Sequence, residues 1–285
     1  MARAQRVEGW WRNLRRVSIF IWLGAFVIVA SSAVAALAPL LATHDPLRST
    51  VSERLQGPSS AHYFGTDGFG RDVYSRVLYG ARVSIGVGLM VVLMSTVLGT
   101  ATGLVAGFFH VLDGPLMRVM DGLMAFPSIL LAIAIMGALE PGVQNVILAL
   151  SIVYWPRTAR IVRSSTLTLR ELDYVEAARA LGAGNARLIA RHVLPSAVSP
   201  ILVQATFVLA AAVLAEAGLS FIGAGVPAPH PSWGNILAEG RLFMRNAPWM
   251  TIVPGVAITV LVLSLNLVGD GLIDYLDPRR RLVVD

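Results

Sequence analysis

The chain has 285 residues, 55% of them hydrophobic and only 14% charged, with a mean hydropathy of +0.68, too few charges to cover a water-soluble domain. Cysteine is absent, which excludes disulfides, thiolate metal sites and cysteine nucleophiles. All 23 basic residues are arginine, so the chain has neither a G-x-x-x-x-G-K-S/T phosphate loop nor a Schiff-base lysine, and its +6 charge is read as membrane topology rather than nucleic-acid binding.

A spanning helix needs roughly 20 apolar residues to cross a hydrocarbon core of about 30 Å. Six segments meet or approach this: Val17–Ala42, Ser84–Phe109, Gly122–Leu139, Val143–Val162, Ala197–Ile222 and Met250–Gly269. The fourth is the weakest, because Arg157 and Arg160 follow Trp155-Pro156 and draw its end toward the interface. The expected fold is an all-α integral membrane protein with six transmembrane helices. Residues 1–16 form a cytoplasmic segment, 17–42 the first span, 43–83 an extracytoplasmic loop, and 84–285 a core domain with five spans and an inner elbow at 164–195.

Arginines near short loops favour the cytoplasmic side. Arg3, Arg6, Arg12, Arg15 and Arg16 precede the first span, and an even number of crossings then places the stretch Arg157–Arg191 and the terminal Arg279, Arg280 and Arg281 inside as well. Both termini are therefore expected in the cytoplasm. Ala33-Val34-Ala35 mimics a signal-cleavage site, but the apolar run from Val17 exceeds the roughly 7–15 residues of a secretory core, so the first span is read as an uncleaved anchor.

The inner loop parses into two short helices. Glu171, Asp173 and Glu176 place negative charge at the start of the first, which suits a helix N-terminus. Gly182 supplies its stop. Arg187 and Arg191 mark the basic flank of the second, and Pro195 gives a rigid start to the fifth span.

Elsewhere, Glu216 lies inside the fifth span, where an unpaired carboxylate is costly. It is either a gate or translocation-path residue or an interhelical hydrogen-bonding group. Gly99, Gly103 and Gly107 form a small-residue face on the second span, expected to pack inside the chain rather than against a partner. Asp67, Arg71, Asp72 and Arg76 read as a salt-bridged outer plug, or alternatively as a contact surface. His44, His62, His110, His192 and His230 show no ligand spacing, so no metal site is expected. No G-x-S-x-G nucleophile elbow occurs.

Glu176-Ala177-Ala178, Gly182 and Leu194-Pro195 resemble the E-A-A…G…L-P signature of the membrane-spanning subunits of ABC importers, with His192 as a departure at a usually apolar position. The runs Gly65-Thr66-Asp67…Gly70-Arg71-Asp72, Ala125-Phe126-Pro127, Glu216-Ala217-Gly218-Leu219-Ser220 and Pro231-Ser232-Trp233-Gly234 are similar to dipeptide and oligopeptide permeases of the C-subunit type, so the resemblance spans nearly the whole chain.

The resemblance implies a type I importer permease fold in the bacterial inner membrane, contributing half of a translocation path for dipeptides or oligopeptides. Glu176, Ala177, Ala178, Gly182, Leu194 and Pro195 would couple to the ATPases, and Asp67, Arg71, Asp72 and Trp233 would contact a binding protein. The implied partners are a second permease, two ATPase subunits or domains carrying ATP and Mg, and an extracytoplasmic binding protein, with no cofactor on this chain. Nickel chelates, glutathione and haem are alternative cargoes. An ion-coupled secondary transporter, with Glu216 and Asn266 as its few intramembrane polar groups, and a transport-inactive scaffold are the rivals from other classes.

Overall fold

A computed structural model describes residues 19–276. The arginines before the first span and those after Leu276 lie outside them. Among the described residues the protein is helical, and its only pairing of extended segments is one bridge between Thr66 and Asp72.

The first described elements are α1 (Ile19–Ala36) and a short α2 (Ala38–Leu41). An irregular loop, with one 3-10 turn at Val51–Glu53, leads to α3 (Val73–Phe108). This helix starts well before the expected Ser84. The Asp72 side chain accepts from the Ser75 amide at 2.8 Å and caps the first turn, so the helix forms before the apolar run begins. A single extended residue, Phe109, separates α3 from α4 (His110–Met124).

The expected third span is broken. Gly122 belongs to α4, and the chain turns by 90° before α5 (Ser128–Ala138). Pro127 lacks an amide donor and pushes Phe126 out of helical geometry, which ends α4 at this point. α6 (Val143–Leu169) runs beyond its expected end at Val162.

Four helical stretches are long and apolar enough to cross a membrane: Ile19–Ala36, Val73–Phe108, Asn185–Phe221 and Trp249–Leu276. The bent α4–α5 pair makes a fifth if it is one span. On length and composition, the expected six reduce to four or five. α6 falls short because it carries Gln144, Asn145, Arg157, Arg160 and Arg163.

It is instead a shielded helix. α3 and α6 form the most extensive helix pair, and the Gly99–Gly103–Gly107 face is the reason. A β-carbon at Gly99 would lie 2.6 Å from Thr158, at Gly103 2.6 Å from the Ala159 carbonyl oxygen, and at Gly107 2.6 Å from Thr166. Removing side chains lets the two backbones touch, the device that drives helix association where lipid is as apolar as the helix. The expectation of internal packing holds. Ion pairs from Arg160 to Asp121 (2.7 Å) and from Arg163 to Asp113 tie α6 to α4.

The remaining elements are α7 (Asp173–Ala180), α8 (Asn185–Leu188), a π turn at Ile189–Val193, α9 (Leu194–Phe221), α10 (Trp233–Gly240) and α11 (Trp249–Leu276). α8, the π turn and α9 form one 37-residue helical run, about 55 Å long at 1.5 Å per residue. A core including Val73, Val77, Ile85, Val213, Trp233, Ile236, Met250 and Leu261 joins α3, α9, α10 and α11.

Candidate functional site

At one end of the bundle the chain folds back between α6 and α9. α7 begins with Asp173 and Glu176 in its first turn and is capped past Leu181 by Gly182, whose φ of +87° is a left-handed geometry open to glycine. The Gly182 amide donates to the Arg179 carbonyl (2.9 Å) and the Ala183 amide to that of Ala178 (3.0 Å), closing the last turn in a Schellman pattern. Glu171 lies in the preceding turn rather than in the helix.

Three fully buried side chains, Val175, Leu188 and Val193, anchor this elbow. Val193 packs with Leu104, Val162, Ala197 and Ile201. Arg170 donates to the Gly107 carbonyl at 2.8 Å, and the Arg179 guanidinium lies 6.0 Å from the centre of the Phe108 ring. The opposite face is bare: Glu176, Ala177 and Gly182 are exposed and Leu181 is 89% exposed.

The second elbow helix, expected as a separate element, is the first turn of the long α8–α9 run. Leu194 and Pro195 sit within it, just past the π turn. Pro195 cannot donate to the carbonyl four residues earlier, and the preceding turn widens to five-residue spacing to accommodate it.

The other end carries a buried charge cluster. Asp67 Oδ1 accepts from the amides of Phe69 (2.8 Å) and Arg71 (3.0 Å), and Oδ2 accepts from Arg71 Nε (2.6 Å). Arg71 and Arg76 both reach Glu239 on α10, at 2.5 and 3.1 Å. Gly70, with φ +72°, makes the tight turn; a β-carbon there would meet the Thr50 carbonyl oxygen at 1.9 Å. Trp249 Nε1 donates to the Thr66 carbonyl at 3.2 Å, fastening the loop onto α11. These segments form a cap over the bundle.

Asp67, Arg71, Asp72 and Trp233, expected as binding-protein contacts, are all buried, with exposures of 1, 7, 2 and 3%. They cannot present a docking surface in this arrangement; the geometry is that of the salt-bridged plug. Glu239 completes the cluster and was missed from sequence. Its only sequence signal is a lone acid in an otherwise uncharged helix. His44 and His62, expected as ordinary loop residues, converge with Asp72, because the loop carries them together without any regular spacing.

Glu216 is fully buried. Its carboxylate accepts from Ser84 Oγ (2.7 Å) and Ser220 Oγ (2.8 Å), while the Trp233 amide donates to Ser84 Oγ at 3.2 Å. This chain of bonds joins α3, α9 and α10, which matches the interhelical of the two readings. The groove between α5, α6 and α9, about 280 Å³, is lined by Ile129, Leu150, Tyr154, Leu214 and Ala215 and not by Glu216 itself.

Residues 95–282 match the model of the binding-protein-dependent transport system inner membrane component. The chain belongs to this family. As a family member it is a multi-pass permease component of an ABC transporter in the inner membrane. The permease is 52% identical over 271 residues to a protein of Brucella suis biovar 1 named for a role as peptide transport system permease, covering 95% of this chain and 91% of that one. It is 44% identical to the dipeptide transport system permease protein of Alkalihalophilus pseudofirmus (91% and 86% covered). It is 42% identical to the glutathione transport system permease protein of Pectobacterium atrosepticum (94% and 90% covered). A solved inward-facing structure of the MetNI methionine ABC transporter shares its fold, with a TM-score of 0.59, 20% identity and coverage of 70% of the permease and 95% of the solved chain.

Proposed function

We propose that this permease forms half of the translocation path of an importer for dipeptides or oligopeptides, paired with a second permease and served by an extracytoplasmic binding protein. Two ATPase subunits or domains hydrolyse ATP with Mg and dock on the elbow through Glu176, Ala177, Ala178, Leu181 and Gly182. α6 crosses the bilayer shielded by α3, completing six spans with both termini and the elbow in the cytoplasm and the cap outside. Relatives named for peptide and dipeptide transport support the peptide cargo over nickel chelates or haem, and the glutathione relative keeps a small peptide within the same class.

The observation that carries the coupling role is the joint design of the elbow: a bare tip held by three buried residues and joined through the short link Ala183-Gly184 to a 37-residue rod. A push on such a tip moves the rod as a body, so ATPase closure biases one of two packed arrangements of the bundle. An ion-coupled transporter needs polar groups at broken midplane helices. Glu216 is instead held by two serines, which favours the importer.

Gly182→Pro tests the role, because proline cannot adopt a φ of +87°. With the complex purified intact and reconstituted, binding-protein-stimulated ATPase activity and peptide uptake are both expected to collapse. Full coupled activity in an assembled Gly182→Pro complex would overturn the reading.

A further inference from the structure

The loop between α2 and α3 brings together three side chains from distant positions, each held by its own contacts. His62 sits in a tight turn, its amide donating to Ser59 Oγ (3.1 Å) and its carbonyl accepting from the amides of Ser59 and Gly65 (2.8 and 2.9 Å). The His44 amide donates to Ser75 Oγ at 3.1 Å. Asp72 uses Oδ2 to cap α3, accepting from the Ser75 amide and hydroxyl, and turns Oδ1 toward His62 Nδ1 at 2.9 Å. His44 Nδ1 lies 3.9 Å from Asp72 Oδ2, and the two imidazole centres are 4.8 Å apart. One ligand atom from each of the three residues falls within 4.8 Å of the others.

This is the donor set and spacing of a transition-metal site. A tetrahedral ion with bonds of about 2.0–2.2 Å holds its ligand atoms about 3.4 Å apart, so shifts of an ångström or less close this cluster around one. Two imidazoles and one carboxylate suit zinc and its neighbours, not the all-oxygen shells of calcium or magnesium. The surroundings add what a metal-bound histidine needs. Glu53 Oε2 lies 3.7 Å from His62 Nε2, so a small approach lets it accept a hydrogen bond from Nε2–H when Nδ1 turns to the metal. His62 and Asp72 are buried while His44 is exposed, so the site is closed on the protein side and open on one face. That face borders a pocket of about 470 Å³ whose walls include Asp45, Tyr79 and Pro231.

We propose that His44, His62 and Asp72 bind a divalent cation of the zinc class, with Glu53 orienting His62 and the fourth position open to the adjoining pocket. The ion pins the loop to the N-terminus of α3, beside the charge cluster that locks the cap. A ligand that enters the pocket with a nitrogen or oxygen donor completes the coordination.

The test uses the assembled complex, purified through a tag without histidine, stripped with a chelator and titrated with zinc alone by calorimetry. Cobalt alone, added separately, reports a tetrahedral site by its visible absorption. One tight equivalent should be lost between wild type and His44→Gln, with affinity falling more than about 100-fold, beyond what losing an outer partner costs. Glu53→Gln should weaken binding about 10-fold, and His110→Gln, at the start of α4 beyond the far end of α3, should leave it unchanged. Zinc should raise the melting temperature of the wild type and not of His44→Gln; because His44 is exposed, that variant should match the wild type without metal. Absence of a tight equivalent, or an equivalent that survives His44→Gln, would overturn the proposal and leave the His62–Asp72 pair as a hydrogen-bonded anchor.

Discussion

The two ends of α3 are built in opposite ways. Near Val73 the loop folds onto α10 and α11 with its charges inside: Asp67 and Arg76 are each 1% exposed. Near Phe108 the elbow buries only its anchoring face and turns the other outward, and a β-carbon at Gly182 would touch nothing within 4 Å. The first end pairs its charges within the chain, Arg76 with Asp67 and Glu239, although Arg76 Nε and Nη1 make no hydrogen bond, while the second leaves Glu176, Ala177, Leu181 and Gly182 exposed. An element built to transmit a partner's motion needs exposed contact groups on a rigid support, whereas a closed cap needs every charge answered from within its own chain.

This contrast is open to challenge by mutation. The largest loss of stability is expected at Asp67→Asn, which keeps the carbonyl acceptor for the Phe69 and Arg71 amides but removes the charge between Arg71 and Arg76. Leaving buried charge uncompensated costs about 3–5 kcal/mol, readable as a fall in the unfolding midpoint of the detergent-solubilised complex. A drop below about 1 kcal/mol would show that the cap is wetter than its burial implies.

Gly103→Leu comes next. Its side chain would enter the space of Val162 and the Ala159 carbonyl, and overpacking of this kind costs typically 1–3 kcal/mol. Cross-linking between cysteines introduced into α3 and α6 should weaken in parallel. Unchanged stability would mean that α3 and α6 are separable.

Ser84→Ala removes a donor to Glu216 and the acceptor of the Trp233 amide, at a cost of about 1–3 kcal/mol for the groups left unsatisfied. Glu216→Gln is its sharper companion. If Glu216 serves the packing alone, uptake by the glutamine variant should remain within a few-fold of wild type; a collapse of uptake at unchanged stability would restore the gate reading.

The smallest effect on stability belongs to Leu181→Asp, expected within about 0.5 kcal/mol as for other surface changes. It should nonetheless uncouple ATP hydrolysis from uptake, because it places a charge on the exposed tip. A variant with full coupling would move the docking surface away from Leu181.

How far the sequence could be read depended on how far apart the interacting residues lie. The elbow was legible because its determinants are local: acids at the first turn of α7, a glycine stop, and a proline after the second turn. The long spans were legible because lipid imposes a length and polarity on any crossing helix. The break at Phe126-Pro127 was obscured by the apolar residues on both sides of it. The early start of α3 was hidden because Arg76 and Arg82 look like loop residues until the cap is seen to bury the first of them.

The sequence by itself determined membrane insertion, the family motifs and the backbone chemistry of the elbow, since each follows from neighbours a few residues apart. Tertiary structure decided which polar groups were answered and by what. Arg71 meets Glu239 across 168 positions and Ser84 meets Glu216 across 132, while His44, His62 and Asp72 converge through an irregular loop. In a low-dielectric interior a buried charge must find a partner, but composition and periodicity do not say which one. Only the packing of the helices brings the partners within bonding distance.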